Sequence, residues 1–82
     1  MEVTVKLFSS LLDYLPSDAQ SNSVCLSVAN STSAHQIIDR LGIPRGEAQV
    51  VMRNGEFYPI EERDNALSEG DSIAIWPSIQ GG

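Results

Sequence analysis

With 82 residues the chain has room for one small domain, which cannot enclose a large active-site cavity, and this argues against a self-contained enzyme. The net charge of −6, without a basic cluster, would repel phosphate backbones, so we expect no nucleic acid partner and favour a cationic protein surface instead. No apolar run approaches a membrane span, no secretory signal is evident and the single cysteine fits a reducing compartment. We therefore expect a cytoplasmic protein with no membrane partner.

The first part of the chain predicts two strands, with a short helical turn and a polar stretch between them. Apolar residues alternate with polar ones over residues 2–8, as in a half-buried strand. Residues 9–15 carry leucines at helix-like spacing before Pro16, which indicates a short helical turn covering one end of the core. Alternation resumes over residues 24–28 and predicts a second strand that returns antiparallel to the first.

The clearest predicted helix begins at Ser33. This serine can cap the free amides of the first turn while Gln36 reaches back to it, which forms a capping box. Gly42 suits the left-handed position after the helix, and Pro44 cannot continue it. The helix presents a single apolar stripe, made of Ala34, Ile37, Ile38 and Leu41.

The second half of the chain predicts a hairpin and a last strand. Residues 49–53 are strand-like, Asn54-Gly55 is a strong two-residue turn signal, and residues 56–60 are predicted to return. A charged loop follows, and residues 72–76 form the last predicted strand. The predicted order is strand, strand, helix, strand, strand, strand, which is an α+β fold in one domain.

A single helix can cover only one face of this sheet. Alternation then places Phe8, Ala74 and Trp76 on the uncovered face, and a similar phase could expose Val51. Such an apolar patch is typical of a protein-binding surface, although Trp76 could equally fold over its neighbours or residues 11–15 could cover it. The side chains assigned to the covered face are Val3, Val5, Leu7, Val24, Leu26, Val28, Ile73 and Ile75.

The reactive residue types form no pattern that predicts catalysis. His35 has no second ligand nearby in sequence and is expected to be packed or solvated. Cys25 has no histidine or basic neighbour to activate it, so we expect an inert, packed thiol. We expect a solvated face from the acidic run, which consists of Glu61, Glu62, Asp64, Glu69 and Asp71.

The segment after the last strand carries two glycines, Gly81 and Gly82. Without side chains these residues can pass through a slot that would reject any other residue. Pro77 ends the strand, and the five residues after it can extend by about 17 Å. We therefore predict a domain over residues 1–77 and a flexible tail over 78–82 whose Gly82 carboxylate is placed for another protein to reach. A simple frayed end is the alternative.

These motifs together resemble the ubiquitin-like sulfur-carrier family, which includes the small subunit of molybdopterin synthase and the thiamin-pathway sulfur carrier. The resemblance spans the whole chain, and each of its motifs is weak alone. The motifs are Val3-Thr4-Val5-Lys6-Leu7-Phe8, Leu41-Gly42-Ile43-Pro44, Asn54-Gly55, Leu67-Ser68-Glu69-Gly70-Asp71, Trp76-Pro77 and Gly81-Gly82.

The resemblance implies a β-grasp fold, in which a mixed sheet of about five strands packs on one main helix, with the first and last strands parallel and adjacent. It implies that an E1-like adenylating enzyme, holding ATP and magnesium, activates the Gly82 carboxylate, which a sulfur donor converts to a thiocarboxylate. This chain would bind no cofactor or metal itself. Gly81 and Gly82 would enter the partner's pocket, and the expected partner contacts are Phe8, Trp76, Pro77 and Ile79.

Within the family, the Trp76-Pro77 segment and the chain length look more like the molybdopterin-synthase subunit, whose tail would insert into a large catalytic subunit. Ser78 departs from a second proline that is frequent there, and the Asn54-Gly55-Glu56 turn is similar to that of the thiamin carrier. Two other classes stay open. A ubiquitin-like modifier would join Gly82 to a lysine, and a plain interaction domain would not need Gly82.

Overall fold

The computed structural model describes residues 1–78 and contains a five-stranded sheet packed on one α-helix. Three short 3-10 helices, Ser9–Tyr14, Arg45–Glu47 and Ile60–Glu62, lie in the connections. The strands and the helix follow the predicted order: β1 (Glu2–Leu7), β2 (Ser23–Ser27), α1 (Ala34–Arg40), β3 (Val50–Arg53), β4 (Glu56–Phe57) and β5 (Ser72–Trp76).

The strands are arranged in the order β2-β1-β5-β3-β4. β1 and β5 pair in parallel, with Leu7 opposite Ile75, and every other pairing is antiparallel. The sheet is therefore mixed, and the first and last strands are neighbours, as the resemblance implied. Since a parallel pair needs a long crossover, the helix and the hairpin between β1 and β5 are what make this adjacency possible.

One face of the sheet carries the hydrophobic core. All eight side chains assigned to the covered face are buried, and they form one cluster with Ala34, Ile37 and Ile38 of α1. Each strand contributes alternate residues, because successive side chains of a strand point to opposite faces. The prediction of which residues of β1, β2 and β5 face the core is confirmed.

Capping defines both ends of α1. The backbone amide of Gln36 donates to Ser33 Oγ over 3.2 Å, and the backbone amide of Ser33 donates to Gln36 Oε1 over 2.9 Å. The predicted capping box is therefore present. Gly42 has a φ of 82° at the other end, and the Ile43 amide donates to the Ile38 carbonyl. Ile43 is buried against the helix, as expected for this type of helix end.

The hairpin forms at the predicted turn, where Asn54 and Gly55 have φ of 52° and 84°. Its second strand is shorter than predicted, because β4 ends at Phe57 instead of continuing to residue 60. The Tyr58 amide still donates to the Val51 carbonyl, but Pro59 has no N–H to donate and the chain turns into a 3-10 helix.

The prediction that Val51 could lie on the uncovered face is wrong. β3 pairs antiparallel to β5 with Val51 opposite Ile75, so the two side chains share the helix-covered face. Val51 is 0% exposed, and its neighbours Val50 and Met52 take the other face. The register between β3 and β5 determines this phase, and sequence alternation within the hairpin does not reveal it.

Within residues 1–78, no helix has the length and apolar character needed to cross a membrane.

Candidate functional site

The face of the sheet that α1 leaves uncovered is called the open face here. One row of side chains crosses four strands on this face, because Ala74 of β5 lies opposite Lys6 of β1 and Met52 of β3, and Met52 lies opposite Phe57 of β4. Ala74 and Met52 are half-buried, whereas Phe57 is 64% exposed. From β5 to β4 the row is therefore apolar, and Lys6 is the charged residue at its β1 end.

Phe8 and Trp76 form a stacked pair at one end of the open face. Their ring centroids are 4.3 Å apart and their planes differ by 8°. The parallel register of Leu7 with Ile75 brings the residues that follow them, Phe8 and Trp76, side by side. Both are half-buried, because each ring covers one face of the other. Both interpretations are therefore partly right. The two rings form an aromatic surface, and Trp76 also packs against its neighbour Phe8.

The chain leaves the sheet directly beside this pair. The Trp76 carbonyl accepts a hydrogen bond from the Gln49 amide over 3.1 Å, which ties the last residue of β5 to the start of β3. Pro77 is half-buried and Ser78 is exposed. Ile79, Gly81 and Gly82, as well as the predicted flexible tail beyond Ser78, lie outside the described residues.

The 3-10 helix Ser9–Tyr14 supports the same end of the molecule. It buries Leu11 completely in the core and leaves Leu12 44% exposed. This is the short helical turn that the leucine spacing predicted, and it covers one end of the core. Phe8 immediately precedes it in an extended conformation, so the turn fixes where the Phe8 ring emerges.

The prediction that Cys25 is packed is wrong. Cys25 alternates with the buried residues Val24 and Leu26, so it points away from the core and is exposed. Its Sγ lies 3.7 Å from Glu2 Oε1. Partial desolvation, together with the negative charge and hydrogen bond of Glu2, raises the pKa of the thiol, which keeps it in its less reactive protonated form.

His35 is packed, which is one of the two outcomes that the sequence led us to expect. It is buried at the start of α1, and its Nδ1 lies 2.8 Å from Asp64 Oδ1. Its backbone amide donates to the Arg63 carbonyl over 3.0 Å. The side chain therefore ties α1 to the loop before β5. Within residues 1–78, no group of three or more possible metal-binding side chains is found.

Asp71 was predicted to lie on a solvated acidic face, and this prediction is wrong. Its carboxylate is buried and accepts hydrogen bonds from Arg53 Nε, Asn54 Nδ2 and the Ser68 amide, all within 2.9 Å. Burial opposes ionisation, but these hydrogen bonds outweigh it and hold the pKa of Asp71 below its usual range. The other four acidic residues of the run are exposed, as predicted.

Arg63 is a buried residue that the sequence analysis placed in a charged loop. It is 3% exposed, and its guanidinium donates to three backbone carbonyls: Tyr58 at 3.0 Å, Ala48 at 3.1 Å and Gln49 at 3.4 Å. It thereby joins the residues just before β3 and the residue just after β4 to the loop before β5. No local pattern marks Arg63 or Asp71, since some of their hydrogen-bond partners are distant in sequence, such as Ala48 and Arg53.

Comparison with known structures shows the same fold in several proteins. Small archaeal modifier protein 1 from Haloferax volcanii is 25% identical with a TM-score of 0.65, over 95% of this chain and 98% of that one. The thiamine biosynthesis protein ThiS from Geobacter metallireducens is 20% identical with a TM-score of 0.64, and each chain is covered completely. A chain from the complex of subunits 1 and 2 of the molybdopterin-converting factor from Helicobacter pylori is 18% identical with a TM-score of 0.59, again with complete coverage.

No curated protein matches the sequence. The sequence model of the Mut7-C ubiquitin family matches residues 1–81, which is nearly the whole chain. The mixed five-stranded sheet, the single main helix and the parallel pairing of β1 with β5 agree with this match. The chain therefore belongs to the Mut7-C ubiquitin family and has the ubiquitin-like β-grasp fold.

Proposed function

We propose that the protein is a ubiquitin-like sulfur carrier, which partner proteins bind through the open face and modify at Gly82. The observation that carries this proposal is the position of the Phe8–Trp76 stack, since the chain leaves the sheet at Trp76 and continues through Pro77 towards Gly81 and Gly82. A partner that binds the stack would hold the domain directly beside the tail segment that the partner must modify.

The stack has the properties of a binding anchor. Aromatic rings bury a large area at a low entropic cost, and here each ring is already held by the other. The adjoining side chains of Val50, Met52 and Ala74 extend the apolar surface across β3 and β5, and Lys6, opposite Ala74, lies beside it. Such a patch, rimmed by polar residues, is typical of a protein interface. Pro77 and Ile79 would continue the contact into the tail.

The chemistry would take place on the Gly82 carboxylate. A carboxylate is a poor electrophile, so an E1-like adenylating enzyme would join one of its oxygens to the α-phosphate of ATP, releasing pyrophosphate. Sulfide released by a sulfur donor would then attack the acyl carbon and displace AMP, leaving a thiocarboxylate whose sulfur is a good nucleophile. ATP and magnesium would be bound by the activating partner. Gly81 and Gly82 suit this role because residues without side chains fit a narrow active-site channel.

For the acceptor of the sulfur we propose a molybdopterin precursor, with transfer in a large catalytic synthase subunit that receives the tail. The Trp76-Pro77 segment supports this choice, and one structural neighbour is part of a complex of two molybdopterin-converting subunits. A thiamin-pathway acceptor is the alternative within sulfur transfer, given the similarity of the fold to ThiS.

The second candidate function is protein modification, in which Gly82 is joined to a lysine of a target protein. It is favoured by the 25% identity to small archaeal modifier protein 1 over nearly the whole chain. Both functions begin with adenylation of Gly82, so they differ only in the nucleophile that displaces AMP.

The test is intact-mass analysis of the purified protein after incubation with an E1-like enzyme, ATP and a sulfur donor. The carrier function predicts a mass increase equal to the exchange of oxygen for sulfur, confined to the peptide that contains Gly82. An isopeptide between Gly82 and a lysine would assign the protein to the modifiers. An unchanged mass with every E1-like enzyme from the same genome would contradict both functions and leave a plain interaction domain.

A further inference from the structure

A second surface lies at the β4 edge of the sheet. It is an open cleft of about 540 Å³, and we call it the edge cleft. Phe57 and Ile60 are 64% and 62% exposed, and both line it. Among residues 1–78 just one other large apolar side chain, Leu12, is exposed, and it lies outside the cleft. The edge cleft is defined by Arg45, Gln49, Phe57, Pro59, Ile60 and Arg63.

The walls of the edge cleft are held in place before any partner binds. The Arg63 guanidinium joins the carbonyls of Ala48 and Gln49 on one side to that of Tyr58 on the other. Pro59 has a fixed φ of −66° between the two exposed apolar residues. A preformed cleft binds its ligand without the entropic cost of ordering the walls.

The side chains that line the edge cleft carry a net charge opposite in sign to that of the protein, although Asp39, which pairs with Arg45, lies outside the lining. Two of the five cationic residues of the chain line it, Arg45 and Arg63, against one carboxylate, Glu61. Within residues 1–78, Arg63 has no carboxylate within ion-pair distance. Its guanidinium is held by backbone carbonyls, and Glu61 acts on its charge from a longer distance. A buried cation that has no directly paired carboxylate attracts a further anion close by, because little water screens its charge.

Arg45 can contact a ligand carboxylate on the solvent-facing side of the edge cleft. Its guanidinium forms two hydrogen bonds with Asp39, at 3.1 and 2.8 Å, but both side chains are about half exposed. An exposed pair of this kind is weak, so a ligand carboxylate can share or replace Asp39. The guanidinium also has a planar fork of donors that suits a carboxylate.

We propose that the edge cleft binds a segment of a partner protein that presents an apolar side chain next to a carboxylate. Phe57 and Ile60 would contact the apolar side chain, and Arg45, backed by the charge of Arg63, would receive the carboxylate. The cleft is too open to surround a small molecule, whereas one side chain of a protein segment fits it. This inference does not depend on Gly82 chemistry, and its test leaves Gly82 unchanged.

The experiment is an NMR titration of the ¹⁵N-labelled protein with capped four-residue peptides. The first peptide contains phenylalanine followed by glutamate, the second phenylalanine followed by glutamine, and the third glycine followed by glutamate. We expect the first peptide to shift amide signals of residues 45–49 and 57–63. The second should bind more weakly by about threefold, the effect of one exposed charge interaction. The third should give no saturable shifts.

Four variants locate the site. Phe57→Ala should weaken binding of the first peptide by about tenfold, whereas Leu12→Ala, which removes the exposed apolar side chain outside the cleft, should leave it unchanged. Arg45→Gln should remove the preference for glutamate over glutamine, and Arg40→Gln, on the neighbouring helix, should retain it. None of these substitutions removes a buried side chain, so all four proteins are expected to fold.

Three results of the peptide titration would overturn the proposal. The first is equal binding of the glutamate and glutamine peptides, the second is the absence of saturable shifts with any peptide, and the third is a set of shifts centred on Phe8 and Trp76. Shifts of cleft residues on dilution of the protein without peptide would assign the cleft to self-association and would likewise overturn it.

Discussion

The Phe8 ring lies parallel to the Trp76 ring at a centroid distance of 4.3 Å, although the two residues come from opposite ends of the chain. The parallel pairing of β1 with β5 creates this contact, and it joins the uncovered sheet face to the segment that leads to Gly82. If the proposed function is right, this contact connects recognition by a partner to the chemistry on the tail.

Replacement of Trp76 by alanine should impair activation of Gly82 much more than it affects folding. A central aromatic anchor of an interface is worth about 2 kcal/mol or more, so we expect the KM for the protein as a substrate of the adenylating enzyme to rise by at least about tenfold. Pyrophosphate release at increasing protein concentration measures this effect. Leu12→Ala is the matched control, and equal kinetics for both variants would argue against docking through the stack.

Addition of one alanine after Gly82, or deletion of Gly82, should abolish formation of the thiocarboxylate. The first change places a side chain on the residue that must enter the active site, and the second leaves the terminal carboxylate on Gly81, one residue short of the reacting position. Neither changes a residue of the sheet or helix, so the midpoint of thermal unfolding should stay the same. Intact-mass analysis and calorimetry together check this prediction, and thiocarboxylate on either variant would contradict the proposed role of Gly82.

Stability should fall at acidic pH because of Asp71. Its pKa is lowered in the folded protein, so its contribution to stability is fully present above the unfolded-state value of about 3.9 and is lost as the pH falls through the folded value. Asp71→Asn should lower the free energy of unfolding by about 1–2 kcal/mol at neutral pH and by less at low pH. Urea unfolding of both proteins between pH 7 and about pH 3 measures the difference. A constant difference would exclude this carboxylate as the cause.

Removal of the cap of α1 should destabilise the fold by a predictable amount. Ser33→Ala deprives the Gln36 amide of its acceptor, which typically costs about 1 kcal/mol and lowers the unfolding midpoint of a domain of this size by about 4–8 °C. Ser31→Ala, at an exposed position in the preceding loop, serves as the control. Equal midpoints for the two variants would mean that the capping box contributes little.

The reactivity of Cys25 should depend on Glu2. Since desolvation and Glu2 raise the pKa of the thiol, Glu2→Gln should lower it and speed alkylation by iodoacetamide at mildly alkaline pH. Rates measured over a series of pH values give the thiol pKa directly. Glu56→Gln, on the far edge of the sheet, should have no effect, and an identical pH profile for all three proteins would contradict the influence of Glu2.

Local patterns in the sequence determined which segments form helices and strands. Ser33 with Gln36 marks the start of the helix, Gly42 marks its end and Asn54-Gly55 marks the hairpin, because each of these depends on bonds or dihedral angles within a few residues. Alternation likewise assigned the buried faces of β1, β2 and β5, since a strand reverses its side-chain direction at every residue.

The tertiary structure alone decided which distant residues meet. The register of β3 against β5 buries Val51, and Pro59 ends β4 early. Asp71 and Arg63 were predicted to lie in solvated charged segments, yet each is buried and bonded to at least one polar partner 15 or more residues away. The sequence by itself thus determined the elements and the apolar core, because those rest on short-range periodicity. The buried polar contacts and the edge cleft depend on strand order and register, which no local pattern encodes.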